Sequence, residues 1–206
     1  DNGNWIFNNE NGVAGLNLMV DSIKNGNADP GSINYTDREV LNPFMAGDIP
    51  FVLNWAFAYA LADNPEESTI AGNVGIGLIP SNSDGVVSSS VTGSGGFAIA
   101  STSKYPDYAW KLLENVLSRE ALFVSAKTAS NAPPIRSIYK DEEFIEQFPT
   151  MEACYPQFEY AQPRPSLAKY SEWSNNMQVS LHEAVTGSKS VEDALNEMIE
   201  KSAAYQ

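Results

Sequence analysis

The side chains of this sequence that could perform catalysis form only weak patterns. Ser101 and Lys104 have the S-x-x-K spacing with which penicillin-binding enzymes activate a serine nucleophile. The companion motifs S-D-N and K-T-G are absent, so a serine-rich turn before a helix explains these residues better. His182 could act as a general base, but a helix position with no fixed partner favours a structural role. The sequence therefore predicts no catalytic residue.

Glycines, acidic pairs and metal-ligating residues give equally weak signals. Gly93, Gly95 and Gly96 suggest a phosphate-binding loop, but neither G-x-x-x-x-G-K-[ST] nor G-x-G-x-x-G fits the chain. The acidic residues at 66–67 and 141–143 are neighbours in sequence, and such neighbours seldom face each other across a sugar as glycosidase acids do. The single cysteine and single histidine exclude an internal disulfide and a multi-histidine metal site, so we expect a buried cysteine and no metal or cofactor.

Aromatic residues are the most informative group. Four Trp, nine Tyr and nine Phe make up 11% of the chain, more than a core of this size needs. Trp110 and Phe44 lie on apolar faces of predicted helices and are expected in the core. Trp55 instead follows Asn54 at the end of a predicted strand, a place where loops build clefts in α/β proteins. Trp55 is therefore a candidate for ligand contact, with a core position as the alternative.

Composition limits the class of protein. The 206 residues, 43% of them hydrophobic, suffice for one large domain or two small ones with a real core. A net charge of −14 repels phosphate backbones and anionic lipids, so nucleic-acid binding is disfavoured. No apolar run approaches the roughly 20 residues of a membrane span, and no signal peptide is evident. Because the sequence begins at Asp1 and enters a helix almost at once, we expect it to be a piece of a longer chain.

Hydrophobic spacing and capping residues predict the elements that would position these side chains. Predicted helices follow Asn9 and Ser190, begin near Trp55 and at Pro106, and run through the apolar residues from Tyr170 to Val185, where Gly187 ends the helix. Another helix follows the capping box of Thr36 with Glu39 and is closed by Gly47. Buried strands are predicted at 50–55, 74–80 and 97–100, a loop at 81–96, and largely irregular structure with short helices at 131–165. Helices alternating with short buried strands imply an α/β fold.

Six segments occur in an order that is typical of one family. They read FNNENGVAGLNLMVDSIKNG, FMAGDIPFVLNWAFAY, GNVGIGLIPSNSDG, VTGSGGFAIASTSKYPDYAWKLLENVLSRE, NAPPIRSIYKDEEF and QPRPSLAKYSEWSNNMQVSLHEAVTGSKSVEDALNEM. In this order they resemble the family-1 extracellular solute-binding proteins, which include maltose-, trehalose- and oligosaccharide-binding proteins of ABC importers. The resemblance implies a type II periplasmic-binding-protein-like fold of two lobes that close on a ligand. It makes this chain the C-terminal half: residues 1–96 in the second lobe, 97–139 returning to the first lobe, and 140–206 in the second lobe with the C-terminal helices.

The resemblance also implies which residues contact the ligand. They are Trp55, Gly95, Gly96, Phe97 and Arg164, with Tyr170 and Trp173 near the start of the long helix as further candidates. Trp55 would offer a flat apolar face to a pyranose ring, the two glycines their backbone N–H groups, and Arg164 a hydrogen bond. Sugars suit such a site because they combine apolar C–H faces with hydroxyls that need directed partners. The family often has Trp at the position of Phe97, which leaves the identity of the sugar open.

The function implied by the resemblance is carbohydrate binding, of an oligosaccharide, and delivery to ABC transporter permease subunits. The protein would be no enzyme and need no cofactor. It would lie on the extracellular face of the cytoplasmic membrane as a lipoprotein, held by an anchor outside this chain, or in the periplasm. Two alternatives remain open: the same fold with a peptide, polyamine or anion as ligand, and a glycoside hydrolase.

Overall fold

The computed structural model describes residues 4–81, 84–93 and 95–205, and helices dominate them. In chain order the α-helices are α1 (Glu10–Lys24), α2 (Leu41–Met45), α3 (Phe57–Ala62), α4 (Pro106–Val116), α5 (Arg119–Ala129), α6 (Glu142–Gln147), α7 (Pro149–Cys154), α8 (Tyr170–Val185) and α9 (Val191–Ser202). Short 3-10 helices span Pro30–Asn34, Arg136–Lys140, Tyr155–Tyr160 and Ala203–Tyr205. Two short strands, β1 (Ser90–Val91) and β2 (Ala161–Gln162), pair in parallel.

The described chain divides into two compact units. Unit 1 combines Asp1–Thr36 with Pro165–Gln206, and unit 2 is the continuous stretch Asp37–Arg164. This division does not address the lobe boundaries at 97 and 139 that the resemblance implies, which stay a prediction.

Unit 1 is a bundle of α1, α8 and α9. Its helices begin where the sequence places their caps: the Asn9 side chain accepts from the Gly12 N–H at 2.9 Å, and the Ser190 Oγ accepts from the Asp193 N–H at 3.0 Å. The apolar faces meet in one core, whose buried members are Leu16, Val20, Trp173, Met177, Ala184, Ala194, Leu195 and Met198. The helices predicted after Asn9, from Tyr170 to Val185 and after Ser190 are therefore confirmed.

Unit 2 packs short helices around aromatic side chains. Its buried core consists of Leu122, Ala126, Ile138, Tyr139, Phe144 and Met151. The ring of Tyr139 stacks on that of Tyr155 at 4.8 Å between centroids and meets Phe144 edge-on at 5.8 Å. The Tyr139 hydroxyl donates to the Pro133 carbonyl at 2.9 Å, which satisfies its buried polar atom. The irregular, short-helical character predicted for 131–165 is confirmed.

Two predictions for the helices of unit 2 are wrong. The second helix begins only at Leu41, because residues 37–40 form turns and its N-cap Val40 provides no side-chain cap. Trp110 on α4 is 57% exposed instead of buried, and its Nε1 donates to Glu114 on the helix surface at 2.8 Å. No residue of α4 is buried, although the helix itself forms where it was predicted, with Pro106 in its first turn.

The predicted strands at 50–55, 74–80 and 97–100 are wrong as strands. A strand is defined by backbone hydrogen bonds to a neighbour, and among the described residues none of these three segments has a ladder partner. The first segment still alternates as a strand would: Phe51, Leu53 and Trp55 are exposed while Val52 and Asn54 are half-buried. The alternation is thus present without strand pairing, and Phe51 and Leu53 are exposed where a buried strand was predicted.

Candidate functional site

Trp55 lies just before α3 in unit 2, and hydrogen bonds at both its N–H and its carbonyl fix its backbone. Its N–H donates to the Asn54 Oδ1 at 2.8 Å, while the Asn54 Nδ2 donates to the Asp37 carbonyl at 2.7 Å. The Trp55 carbonyl accepts from the Ala58 N–H at 3.1 Å, which closes the first turn towards α3. Its side chain remains 50% exposed. The core position considered as an alternative is therefore not the one that Trp55 occupies in this structure.

The indole of Trp55 lies against the backbone of Gly93. A Cβ atom placed on Gly93 would lie 2.3 Å from Cη2 and 2.7 Å from Cζ3 of the ring, far inside van der Waals contact. One edge of the ring thus rests on bare main chain while the remainder faces solvent. The sequence pointed to Gly93 only as part of a failed phosphate-loop pattern. Its packing against Trp55 has no local signal, since the two residues are 38 positions apart and only tertiary structure brings them together.

The parallel strands bring Gly93 and Arg164 to the same edge. Ser90 pairs with Ala161 and Val91 with Gln162, and the Thr92 N–H extends the ladder by donating to the Gln162 carbonyl at 2.9 Å. Gly93 and Arg164 each follow the carboxyl end of their strand by two residues. Ligands of open α/β folds bind at such carboxyl ends. The register therefore places an exposed arginine in the neighbourhood where Trp55 meets Gly93.

The side chain of Gln157 forms hydrogen bonds to three other residues of this region. The Gln157 Oε1 accepts from the Ile79 N–H at 2.9 Å, and its Nε2 donates to the hydroxyls of Ser88 and Ser90 at 3.0 and 3.1 Å. The hydroxyl of the buried Ser88 donates a hydrogen bond to the Ile79 carbonyl at 2.7 Å. One side chain thus connects residues 79 and 88–90 to a segment that lies 67 to 78 positions further along the chain, and the sequence reasoning missed it.

The remaining predicted ligand residues of unit 2 are open to solvent. Gly95 and Gly96 are exposed, and a Cβ added at either would meet nothing within 4 Å, so their main chain is accessible to a ligand. Phe97 is 70% exposed. An exposed aromatic ring and exposed glycine backbone suit a carbohydrate, and the ligand contacts of these three residues stay predictions.

Tyr170 and Trp173 belong to unit 1 and differ from each other. Tyr170 is half-buried at the first position of α8, its ring 5.7 Å from that of Trp173. Trp173 is only 8% exposed, stacks on Trp5 at 5.4 Å, and donates from Nε1 to the Ser202 Oγ at 2.8 Å. Both its ring and its polar atom are used by the helical core. Ligand contact at Trp173 therefore stays a prediction without support from its surroundings.

The groups considered for catalysis are not brought into a constellation. Ser103, inside the S-x-x-K segment, accepts from the Tyr105 N–H at 3.2 Å, as in a turn leading into a helix. His182 is exposed on α8. Burial raises the pKa of the half-buried Cys154 thiol, which disfavours the reactive thiolate. Within residues 4–81, 84–93 and 95–205, no three His, Cys, Asp or Glu side chains group as metal ligands, and no helix is long and apolar enough to cross a bilayer.

Comparison with known proteins places the chain in a defined group. Residues 1–122 match the model of a family described as bacterial extracellular solute-binding protein. A probable ABC transporter-binding protein of Deinococcus radiodurans is 29% identical over 188 residues, which cover 89% of this chain and 44% of that protein. The chain thus spans about half the length of the relatives it matches.

Solved structures agree on the fold. The maltose-bound T. maritima MalE3 superimposes with a TM-score of 0.83 at 26% identity, covering 98% of this chain and 52% of that one. A solute-binding protein of Agrobacterium radiobacter K84 in complex with ribitol gives 0.83 at 21% identity, covering 100% and 52%. A cyclo/maltodextrin-binding protein complexed with maltotetraose gives 0.72 at 23% identity, covering 96% and 49%. The predicted α/β fold of the type II periplasmic-binding-protein class is confirmed.

Proposed function

This chain belongs to the bacterial extracellular solute-binding protein family, and from that premise we propose that it binds a carbohydrate and delivers it to the permease of an ABC importer. The ligand class we propose is an oligosaccharide. The observation that carries the proposal is the indole of Trp55, half exposed and supported by Gly93 at the carboxyl ends of the parallel strands.

A ring held in this way suits a sugar. The apolar C–H face of a pyranose packs on an aromatic plane, and a ring that is already immobile loses little conformational entropy on binding. The Asn54 hydrogen bond fixes the Trp55 backbone, and the contact with Gly93 restricts the side chain. Trp55 is therefore the proposed stacking platform.

Polar recognition would come from the main chain and from arginine. We assign hydroxyl binding to the N–H groups of Gly95 and Gly96 and to the guanidinium of Arg164, with Phe97 as a second aromatic surface. The backbone of both glycines is uncovered, and the guanidinium has donors in a fixed fork that suits adjacent hydroxyls. Tyr170, half-buried in unit 1, is a further candidate.

The rest of the importer assignment follows the same premise. We propose that the whole protein works outside the cytoplasmic membrane, as an anchored lipoprotein or in the periplasm, and that its partners are permease subunits. Residues 97–139 would return to a first lobe supplied by further sequence. The exposed apolar side chains of α4, including Leu112 at 63%, are compatible with such a covering lobe.

A ligand screen on the full-length protein tests the function. Calorimetry with maltose, maltotetraose, ribitol, a tripeptide, spermidine and inorganic phosphate should detect binding of the two maltodextrins and no hydrolysis of them over hours. The 206-residue chain alone should bind them far more weakly. Binding of peptide, spermidine or phosphate with no sugar binding would replace carbohydrate by another ligand class, and release of glucose would make the protein a hydrolase.

A further inference from the structure

Gly93 is a glycine for a steric reason and not for a conformational one. Among the described residues, positive φ values occur at Ser130 and at Gly26, Gly47, Gly72, Gly85 and Gly187 but not at Gly93, so the φ of Gly93 does not require a glycine. The three heavy atoms nearest to an added Cβ are all ring atoms of Trp55, at 2.3, 2.7 and 3.2 Å. The absence of a side chain at Gly93 therefore leaves room for the indole of Trp55.

Neither backbone can easily move to relieve such a collision. On one side, Trp55 is held through the Asn54 side chain and the first turn towards α3. On the other side, the segment that carries Gly93 is held by the β1–β2 ladder, by the Thr92 N–H and by Gln157. With both main chains fixed, an added methyl group would be accommodated by rotation of the Trp55 ring.

We propose that Gly93 is a specificity-determining residue, which acts through Trp55 by setting the plane that the indole presents to the ligand. The inference rests on the proposed function for its ligand and on the described contacts for its geometry. Stacking requires the two planes to be parallel and in van der Waals contact, so a rotated ring would weaken binding and change which sugars fit.

The test is Gly93→Ala in the full-length protein, with maltose and maltotetraose as probes. We expect the affinity for both to fall about tenfold or more, the equivalent of at least 1.4 kcal/mol. The matched control is Gly75→Ala, since an added Cβ at Gly75 meets nothing within 4 Å and the residue lies outside the proposed site. That control should change affinity less than about twofold, within the usual spread of surface substitutions.

A double substitution shows whether the effect passes through the indole. Phenylalanine lacks the outer ring edge that Gly93 touches, so in a Trp55→Phe background Gly93→Ala should change affinity less than about twofold further. A full tenfold loss in that background would overturn the proposal, because the methyl group would then act on something other than the Trp55 ring. Because the collision could also lower stability in the Trp55 background alone, melting curves of the four forms separate a loss of folded protein from a loss of affinity.

A ligand-free measurement separates this inference from the proposed function. Subtracting the fluorescence of each Trp55→Phe form from that of its Trp55 parent isolates the indole, and Gly93→Ala should shift its emission and its quenching by acrylamide. Unchanged spectra would overturn the inference even if sugars bind. A shifted spectrum in a protein that binds neither maltodextrin would support the role of Gly93 in orienting the ring and contradict carbohydrate binding.

Discussion

The indole Nε1 of Trp173 donates a hydrogen bond to the Ser202 hydroxyl at 2.8 Å, between two residues that are 8% and 0% exposed. The Ser202 carbonyl also accepts a hydrogen bond from the Trp5 Nε1 at 3.0 Å. This serine therefore connects two tryptophans to the end of α9. The bond gives Trp173 the satisfied polar atom that a buried indole needs.

Ser202→Ala should lower the free energy of unfolding by about 1–3 kcal/mol, because it leaves the buried Trp173 N–H without a partner. Affinity of the full-length protein for its sugar should be unchanged if Trp173 is a core residue. Chemical denaturation with calorimetry measures both, and Ser171→Ala, at an exposed serine of α8, is the control. A loss of affinity at unchanged stability would return Trp173 to the ligand site.

Trp55→Ala in the full-length protein should lower sugar affinity about tenfold to a hundredfold, since it removes a stacking surface worth roughly 1–3 kcal/mol. The melting temperature should change little, because the ring is half exposed. Trp110→Ala, which removes another half-exposed indole outside the proposed site, should keep the affinity. Retained affinity together with a large fall in melting temperature would remove Trp55 from the ligand site and give it a purely structural role.

Gln157→Met should destabilise the protein by about 1–3 kcal/mol, because a side chain of similar length leaves the Ile79 N–H without its acceptor and removes the donor to the hydroxyls of Ser88 and Ser90. Ligand affinity should fall as well, since the segment that leads to Gly93 loses the hydrogen bond between Gln157 and the Ser90 hydroxyl. Gln147→Met, at an exposed glutamine of α6, provides the comparison in thermal melts and titrations. Equal melting temperatures for the two variants would contradict a fastening role for Gln157.

Acid should destabilise unit 1 through Glu197. Hydrogen bonds from Lys189, and next from Lys201, lower the pKa of Glu197 from 4.5 to about 2. A carboxyl with a depressed folded pKa contributes stability that is complete above 4.5 and is lost as the pH falls towards 2. Glu197→Gln should therefore flatten the fall in melting temperature over this range. Glu200→Gln, on the same helix but in none of the described ion pairs, should not flatten it.

The exposed side chains of α4 should make the 206-residue chain self-associate. Tyr108, Trp110 and Leu112 are 74%, 57% and 63% exposed on one short helix, and apolar surface of this kind tends to be covered by a partner. Leu112→Glu should reduce sedimentation of oligomers and binding of an apolar dye. Asn115→Glu adds the same charge at an exposed polar position and should reduce neither.

Local signals account for what the sequence predicted correctly. Caps act within one helical turn, so Asn9 and Ser190 could be assigned from the residues beside them, and both cap their helices. Strand pairing has no such local signal: β2 lies at 161–162, within a stretch predicted as irregular, and its partner is far away in the chain. The same holds for the site, where Trp55 was chosen from its local context while Gly93 and Gln157 depend on tertiary contacts.

Unit 1 consists of two stretches of sequence with unit 2 between them, and this arrangement fixes the order in which its parts are synthesised on the ribosome. Trp5 and Ser202 are bonded across 197 positions of sequence, whereas all of unit 2 lies between the two pieces of unit 1. As translation proceeds, α1 emerges with Leu16 and Val20 uncovered, and their partners on α8 and α9 are made only after unit 2 is complete. The helical bundle of unit 1 can thus close only after all of unit 2 has been synthesised, and until then the apolar face of α1 is available to a chaperone.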